Sequence, residues 1–169
     1  MTRKGPTDIN PASTQDLEKL PDVAAAEAQA IIAGSPYANT SDVNEIKLSQ
    51  LGEQKATNPA VKAFAQKMVA EHNKMSMSMQ PFAAFWGVTP PTDMDADHQK
   101  EYDKLNGLSG SDFDKAYIDQ MVSDHAKALD AFTTEAKDTK DAKFRTAVLK
   151  GKTMVAAHKN MAYDLKKKL

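Results

Sequence analysis

The segment Phe64-Ala-Gln-Lys-Met-Val-Ala-Glu-His72 returns 53 residues later as Tyr117-Ile-Asp-Gln-Met-Val-Ser-Asp-His125. Met, Val, an acid and His recur in the same order, and an aromatic stands eight residues before each His. An offset of that size holds one long helix, a connection and part of another. The repeat therefore predicts two helices with matching roles in one bundle. In both copies a histidine stands where a core residue is expected.

Spacing extends the pattern. Val61, Ala65, Met68, His72, Met75 and Met79 follow three- and four-residue steps, as do Ile118, Val122, His125, Leu129 and Phe132, and Val155, His158, Met161, Ala162 and Leu165. Each stripe contains one histidine. Long helices are predicted over 42–55, from Pro59 to about residue 86 with a bend near Pro81, over 111–137, and from 141 to the C-terminus. A shorter helix is predicted over 95–105, after the break Gly87-Val-Thr-Pro-Pro91. Asn58 and Asp141 are expected caps, Pro59 fits a first turn, and Ser111 with Asp114 reads as a capping-box start. Gly151 reads as a weak point inside the last helix. Few aromatics (7%) and abundant alanine agree with an all-α chain. The expected fold class is all-α: an up-and-down four-helix bundle over 42–169.

Residues 1–41 read as a separate small segment. Ser13-Thr14 can cap a short helix through Leu20, Pro21-Asp22-Val23 turns the chain, and a second short helix ends near Gly34. Residues 1–43 carry three basic and six acidic side chains, against nineteen and seventeen in the remainder. A net charge of −1 sets up no field that recruits nucleic acid or an anionic membrane. No run of eighteen apolar residues is present, so no membrane span is expected. The opening Met1-Thr-Arg-Lys-Gly-Pro6 leads into no apolar stretch, so no signal peptide is expected in this chain. Cysteine is absent, which excludes disulfides, thiolate ligands and thiol nucleophiles. No Gly-x-Ser-x-Gly elbow or phosphate loop occurs, and the chain is expected not to be an enzyme.

Two resemblances follow. Val61-Lys-Ala-Phe-Ala-Gln-Lys-Met-Val-Ala-Glu-His72, Asp97-His-Gln99, Leu108-Ser-Gly110, Phe113-Asp114, Tyr117, His125 and His158 resemble an exported bacterial family with a ferritin-like four-helix fold, domain of unknown function four-one-four-two. The resemblance implies that fold and a periplasmic or envelope location, and no established activity. Asp8-Ile-Asn-Pro-Ala-Ser13, Leu17-Glu-Lys-Leu-Pro21 and Ala28-Gln-Ala-Ile-Ile-Ala-Gly34 resemble a competence-type helix-hairpin-helix unit. Such units hold DNA phosphates with backbone N–H groups. Here the hairpin is Leu20-Pro-Asp-Val-Ala24, which adds a negative charge and a Cβ where a phosphate would approach, so the unit reads as degenerate.

A buried neutral histidine must satisfy two ring nitrogens, and each one left unpaired costs about 1–3 kcal/mol. Imidazole with carboxylate suits zinc, iron, manganese or nickel. The metal-site candidates are His72, His125 and His158, with Glu71, Asp124 and Glu45 as acidic partners. Neighbours on a helix point about 100° apart, so Glu71 and His72 cannot both aim at the bundle axis; one of them must lie at a flank or orient the other ligands. The Glu-x-x-His spacing of di-iron bundles is missing from both repeat copies, where Lys74 and Lys127 fall at the third position. Asp95-x-x-His98 has the spacing once, near a loop. Met68, Met75 and Met79 share a face with His72, a set that suits copper(I) or adaptable core packing. Three readings stay open: an envelope protein binding zinc, iron or copper through bundle histidines; a structural or interaction module whose hairpin and aromatic end (Phe82, Phe85, Trp86) dock a protein partner; and weak DNA contact.

Overall fold

In a computed structural model of the chain, residues 41–86 and 90–169 are described. They form five helices, α1 (Ser41–Lys55), α2 (Pro59–Trp86), α3 (Ala96–Asn106), α4 (Gly110–Asp138) and α5 (Ala142–Lys166), and no strand. The all-α expectation holds for them. The hairpin segment expected at 1–41 lies outside the described residues, apart from Ser41.

The helix starts follow side-chain chemistry. Asn58 Oδ1 accepts from Ala60 N at 2.9 Å, and Pro59 occupies the first turn, where no N–H is needed. Asp95 caps α3 through Asp97 N and His98 N, and Asp141 caps α5 through Lys143 N and Phe144 N. The start of α4 departs from expectation. It begins at Gly110, in a left-handed conformation (φ 58°), and its N-cap Ser109 makes no side-chain capping bond. Asp114 does not close a capping box there, because its carboxylate is committed elsewhere. Oδ1 accepts from Thr57 N (3.0 Å), and Oδ2 accepts from Thr57 Oγ1 (2.6 Å) and Asn58 N (2.9 Å). A buried acid on α4 thus holds the α1–α2 turn. Helix α2 continues through Pro81 as one element. Pro81 and Met77 both face solvent, so water can take the carbonyl that the missing N–H leaves free.

The helices close a ring: α1 lies against α2, α2 against α5, α5 against α4, and α4 against α1, with α3 laid across α1 and α4. Two apolar clusters fill it. One holds Leu48, Val61, Met68, Tyr117, Ile118 and Met121; the other holds Met75, Met79, Phe132, Val148 and Val155. Helix spacing places His72 between Met68 and Met75 on α2, and His125 between Met121 and Ala128 on α4. His158 falls between Val155 and Ala162 on α5. The core is therefore two apolar halves separated by an imidazole layer.

Gly151 is a tight seat and not a weak point. A Cβ there would stand 2.6 Å from Phe132 Cε1 and 3.2 Å from Met75 Sδ. At Gly52 it would stand 2.9 Å from both Ala65 Cβ and Tyr117 Cζ. Both glycines let neighbouring helices approach closely, which offsets their low helix propensity. The expected aromatic cluster divides: Phe82 meets Phe144 at 5.3 Å between ring centroids, whereas Phe85 is 81% exposed. No described helix is long and apolar enough to cross a membrane.

Candidate metal centre

The repeat positions deliver His72 and His125 from α2 and α4, and α5 delivers His158. All three rings are at most 1% exposed. Their centroids form a near-equilateral triangle, with His72–His125 at 5.6 Å, His72–His158 at 5.2 Å and His125–His158 at 5.3 Å. One nitrogen from each ring lies within 4.8 Å of one from each of the others. Ligands held at ~2.1 Å around a tetrahedral ion stand about 3.4 Å apart, so the rings need close by no more than about 1.4 Å.

Each ring is pinned from outside by a carboxyl or carbonyl oxygen. His72 Nδ1 meets Asp42 Oδ1 at 2.8 Å, His125 Nδ1 meets the Met121 carbonyl at 2.8 Å, and His158 Nε2 meets Glu71 Oε2 at 2.5 Å. A proton sits on the His125 and His158 nitrogens, since lone pair against lone pair would repel, and on the His72 nitrogen when Asp42 is ionised, as it would be beside a bound cation. The tautomers follow: the protons lie on Nδ1, Nδ1 and Nε2, and the bare lone pairs on His72 Nε2, His125 Nε2 and His158 Nδ1. Those three nitrogens are buried and have no hydrogen-bond partner. An acceptor orienting the distal N–H while the other nitrogen is left to bind is the arrangement found around metal-bound histidines.

Electrostatics keep the rings neutral. Burial pushes His72, His125 and His158 each down to about 4, because a buried imidazolium loses its hydration. The Glu45 carboxyl is buried beside His125, with Oε1 3.8 Å from Nδ1 and Oε2 unpartnered. Burial pushes it up to about 8. Burial raises Asp42 as well, and its Oδ2 is unpartnered. Burial also pushes Glu71 up, but hydrogen bonds from His158 and Lys67 outweigh that and hold it below the usual carboxylate value. A divalent cation would supply what this cluster lacks: an acceptor for three lone pairs, and positive charge beside two desolvated acids.

The six candidate residues divide. His72, His125 and His158 converge. Glu71 sits behind His158 as its orienting acceptor, and Glu45 lies beside the triad. Asp124 does not face it: its Oδ2 meets Gln120 Nε2 at 2.7 Å and lies 3.7 Å from His98 Nε2, and its Oδ1 is 3.3 Å from Lys127 Nζ. The next residue on the helix, His125, takes the inward direction instead. Asp42 was legible only as a helix-start acid, yet it orients His72. A signal exists in α1, where Asp42, Glu45 and Ser49 recur at steps of three and four on one buried face that also carries Leu48. Met68, Met75 and Met79 belong to the two apolar clusters that flank the imidazole layer.

A family model described as Domain of unknown function (DUF4142) matches residues 12–165. No curated protein and no solved structure matches the chain.

Proposed function

The chain belongs to the DUF4142 family, a kinship that assigns no activity, and on that premise we propose that it binds one divalent first-row transition-metal ion through His72, His125 and His158. The observation that supports this is the set of three inward, partnerless lone pairs, each on a ring pinned by an outside acceptor. A purely hydrogen-bonding role for the histidines leaves all three nitrogens buried and unpaired, at about 1–3 kcal/mol each. Three imidazoles, with the Glu45 carboxyl buried beside His125, suit zinc and its borderline neighbours. The methionines fill apolar clusters on either side, which favours imidazole and carboxylate ligation over thioether ligation. Rings at most 1% exposed offer a bound ion no face to a substrate, so the site holds metal and does not catalyse. The fold around it is a ferritin-like four-helix bundle that has traded the paired Glu-x-x-His set for a three-histidine layer. By family resemblance the protein works in the bacterial envelope. The segment 1–41, which resembles a degenerate helix-hairpin-helix unit in sequence, docks a protein partner and does not bind DNA.

Protein purified without chelator should carry close to one equivalent of transition metal by elemental analysis, and His125→Ala should carry none. In the metal-free protein, zinc at a thousandfold over its Kd should add about 4 kcal/mol, or roughly 10 °C of melting temperature for a chain of this size. Protein that arrives metal-free and melts unchanged with zinc, copper or iron would overturn the proposal.

A further inference from the structure

We infer that a cation reaches the histidine centre through a polar port at the α1–α3–α4 edge, captured first between His98 and Asp124 and passed inward by Glu45; this rests on the metal-binding reading above. The three centre rings are sealed from solvent, so an ion needs a chain of ligands leading to them. His98 on α3 is 26% exposed in its side chain. Its Nδ1 lies 2.8 Å from Asp95 Oδ2 and 3.0 Å from Asn44 Nδ2; the carboxylate oxygen accepts from both, so the proton sits on Nδ1 and the Nε2 lone pair is bare. That lone pair faces Asp124 Oδ2 across 3.7 Å. The gap is too long for a hydrogen bond, and close to the separation of two ligands on one ion. The device used in the centre, a carboxylate fixing one ring nitrogen so that the other is left to bind, is thus repeated at the surface.

The port is braced. Asn44 Nδ2 donates to Asp95 Oδ2 at 2.8 Å, and Asn44 Oδ1 accepts from Asp95 N at 3.3 Å, tying α1 to the start of α3. Lys127 reaches Asp124 through Oδ1, and Oδ2, which accepts from Gln120 Nε2 at 2.7 Å, has a second lone pair for the His98 side. The next residue after Asn44 is Glu45, 2% exposed, whose Oε2 has no partner. Glu45 lies within electrostatic reach of His72 on one side and of Asp124 and His98 on the other. It therefore bridges the port and the centre. The partly exposed acid at the triad is Glu71. Its Oε1 is held by Lys67 Nζ at 2.5 Å, a positive charge that repels an approaching cation.

Metal-free full-length protein mixed with cobalt(II) in a stopped-flow instrument, followed through the visible bands of nitrogen-bound cobalt, tests the route. His98→Ala and Asp124→Asn should each slow association by about tenfold or more and still reach one equivalent at equilibrium, whereas Lys67→Ala should leave the rate unchanged. Unchanged rates in both port variants would overturn the route, as would faster uptake by Lys67→Ala. Loss of the bound equivalent in either port variant would also overturn it, by making the residue a permanent ligand. Wild-type protein that takes up no cobalt would instead overturn the metal reading itself, and the route with it.

Discussion

Asp114→Ala is expected to lower the unfolding free energy by about 3 kcal/mol, although Asp114 touches no residue of the metal centre. Its carboxylate accepts from two backbone N–H groups and one hydroxyl at the α1–α2 turn. Hydrogen bonds to a charged group contribute about 1.5–3 kcal/mol each. The sum is discounted here, because Thr57 is exposed and water can replace part of what is lost. Asp114→Asn keeps the shape and gives up the charge, so roughly half the loss is expected. With a urea m-value of about 2 kcal/mol/M, the alanine variant should unfold at about 1.5 M less urea. A shift below about 0.5 M would mean that α1 and α2 are held together by their apolar contacts alone.

The second large effect is a stability maximum near pH 6.5 in the metal-free protein. His72, His125 and His158 titrate near 6.5 when unfolded and at about 4 in the fold. Their contribution is complete above pH 6.5 and disappears as pH falls through 4. Glu45, pushed up to about 8, has the opposite sign: its contribution is complete below its unfolded value and disappears as pH rises through 8. Asp42, also raised, follows Glu45. Between about 4.5 and 6.5, three histidines outweigh Glu45, with Asp42 on its side, and stability rises with pH. Above 6.5 only the carboxylates still titrate, and stability falls. Zinc should flatten the alkaline side, since it favours ionised Glu45 and Asp42. It should steepen the acid side, since protons compete for the same nitrogens. Urea midpoints at pH 4.5, 6.5 and 8.5, with and without zinc, check this; a metal-free profile that is flat across that range would contradict it.

How much of this was legible in the sequence depended on whether the information lay along one helix or between two. The steps through Met68, His72 and Met75, and through Ile118, His125 and Phe132, report which face of a helix is buried, and they identified the inward histidines and all the long helices. The choice of acceptor behind each ring was not legible. Asp42 lies thirty residues from His72, and Glu71 lies eighty-seven from His158. Which acid meets which ring is set by the register of one helix on another, and spacing within a helix does not carry that register. Asp124 was a candidate acidic partner of the histidines, yet the helical turn sends it to His98. Asp114 illustrates the same limit. Its local pattern with Ser111 suggests a cap, and a turn fifty-seven residues away claims it instead. Gly151 looked weak only because Phe132, which fills the space beside it, comes from another helix.

The central claim is that three buried imidazoles, presenting Nε2, Nε2 and Nδ1, hold one metal ion. X-ray absorption spectroscopy of the zinc-loaded protein measures that directly. The expected spectrum has nitrogen and oxygen ligands at about 2.0–2.1 Å, with outer-shell scattering that requires three imidazole rings. A spectrum of oxygen ligands without imidazole scattering, or zinc that washes away before measurement, would contradict it.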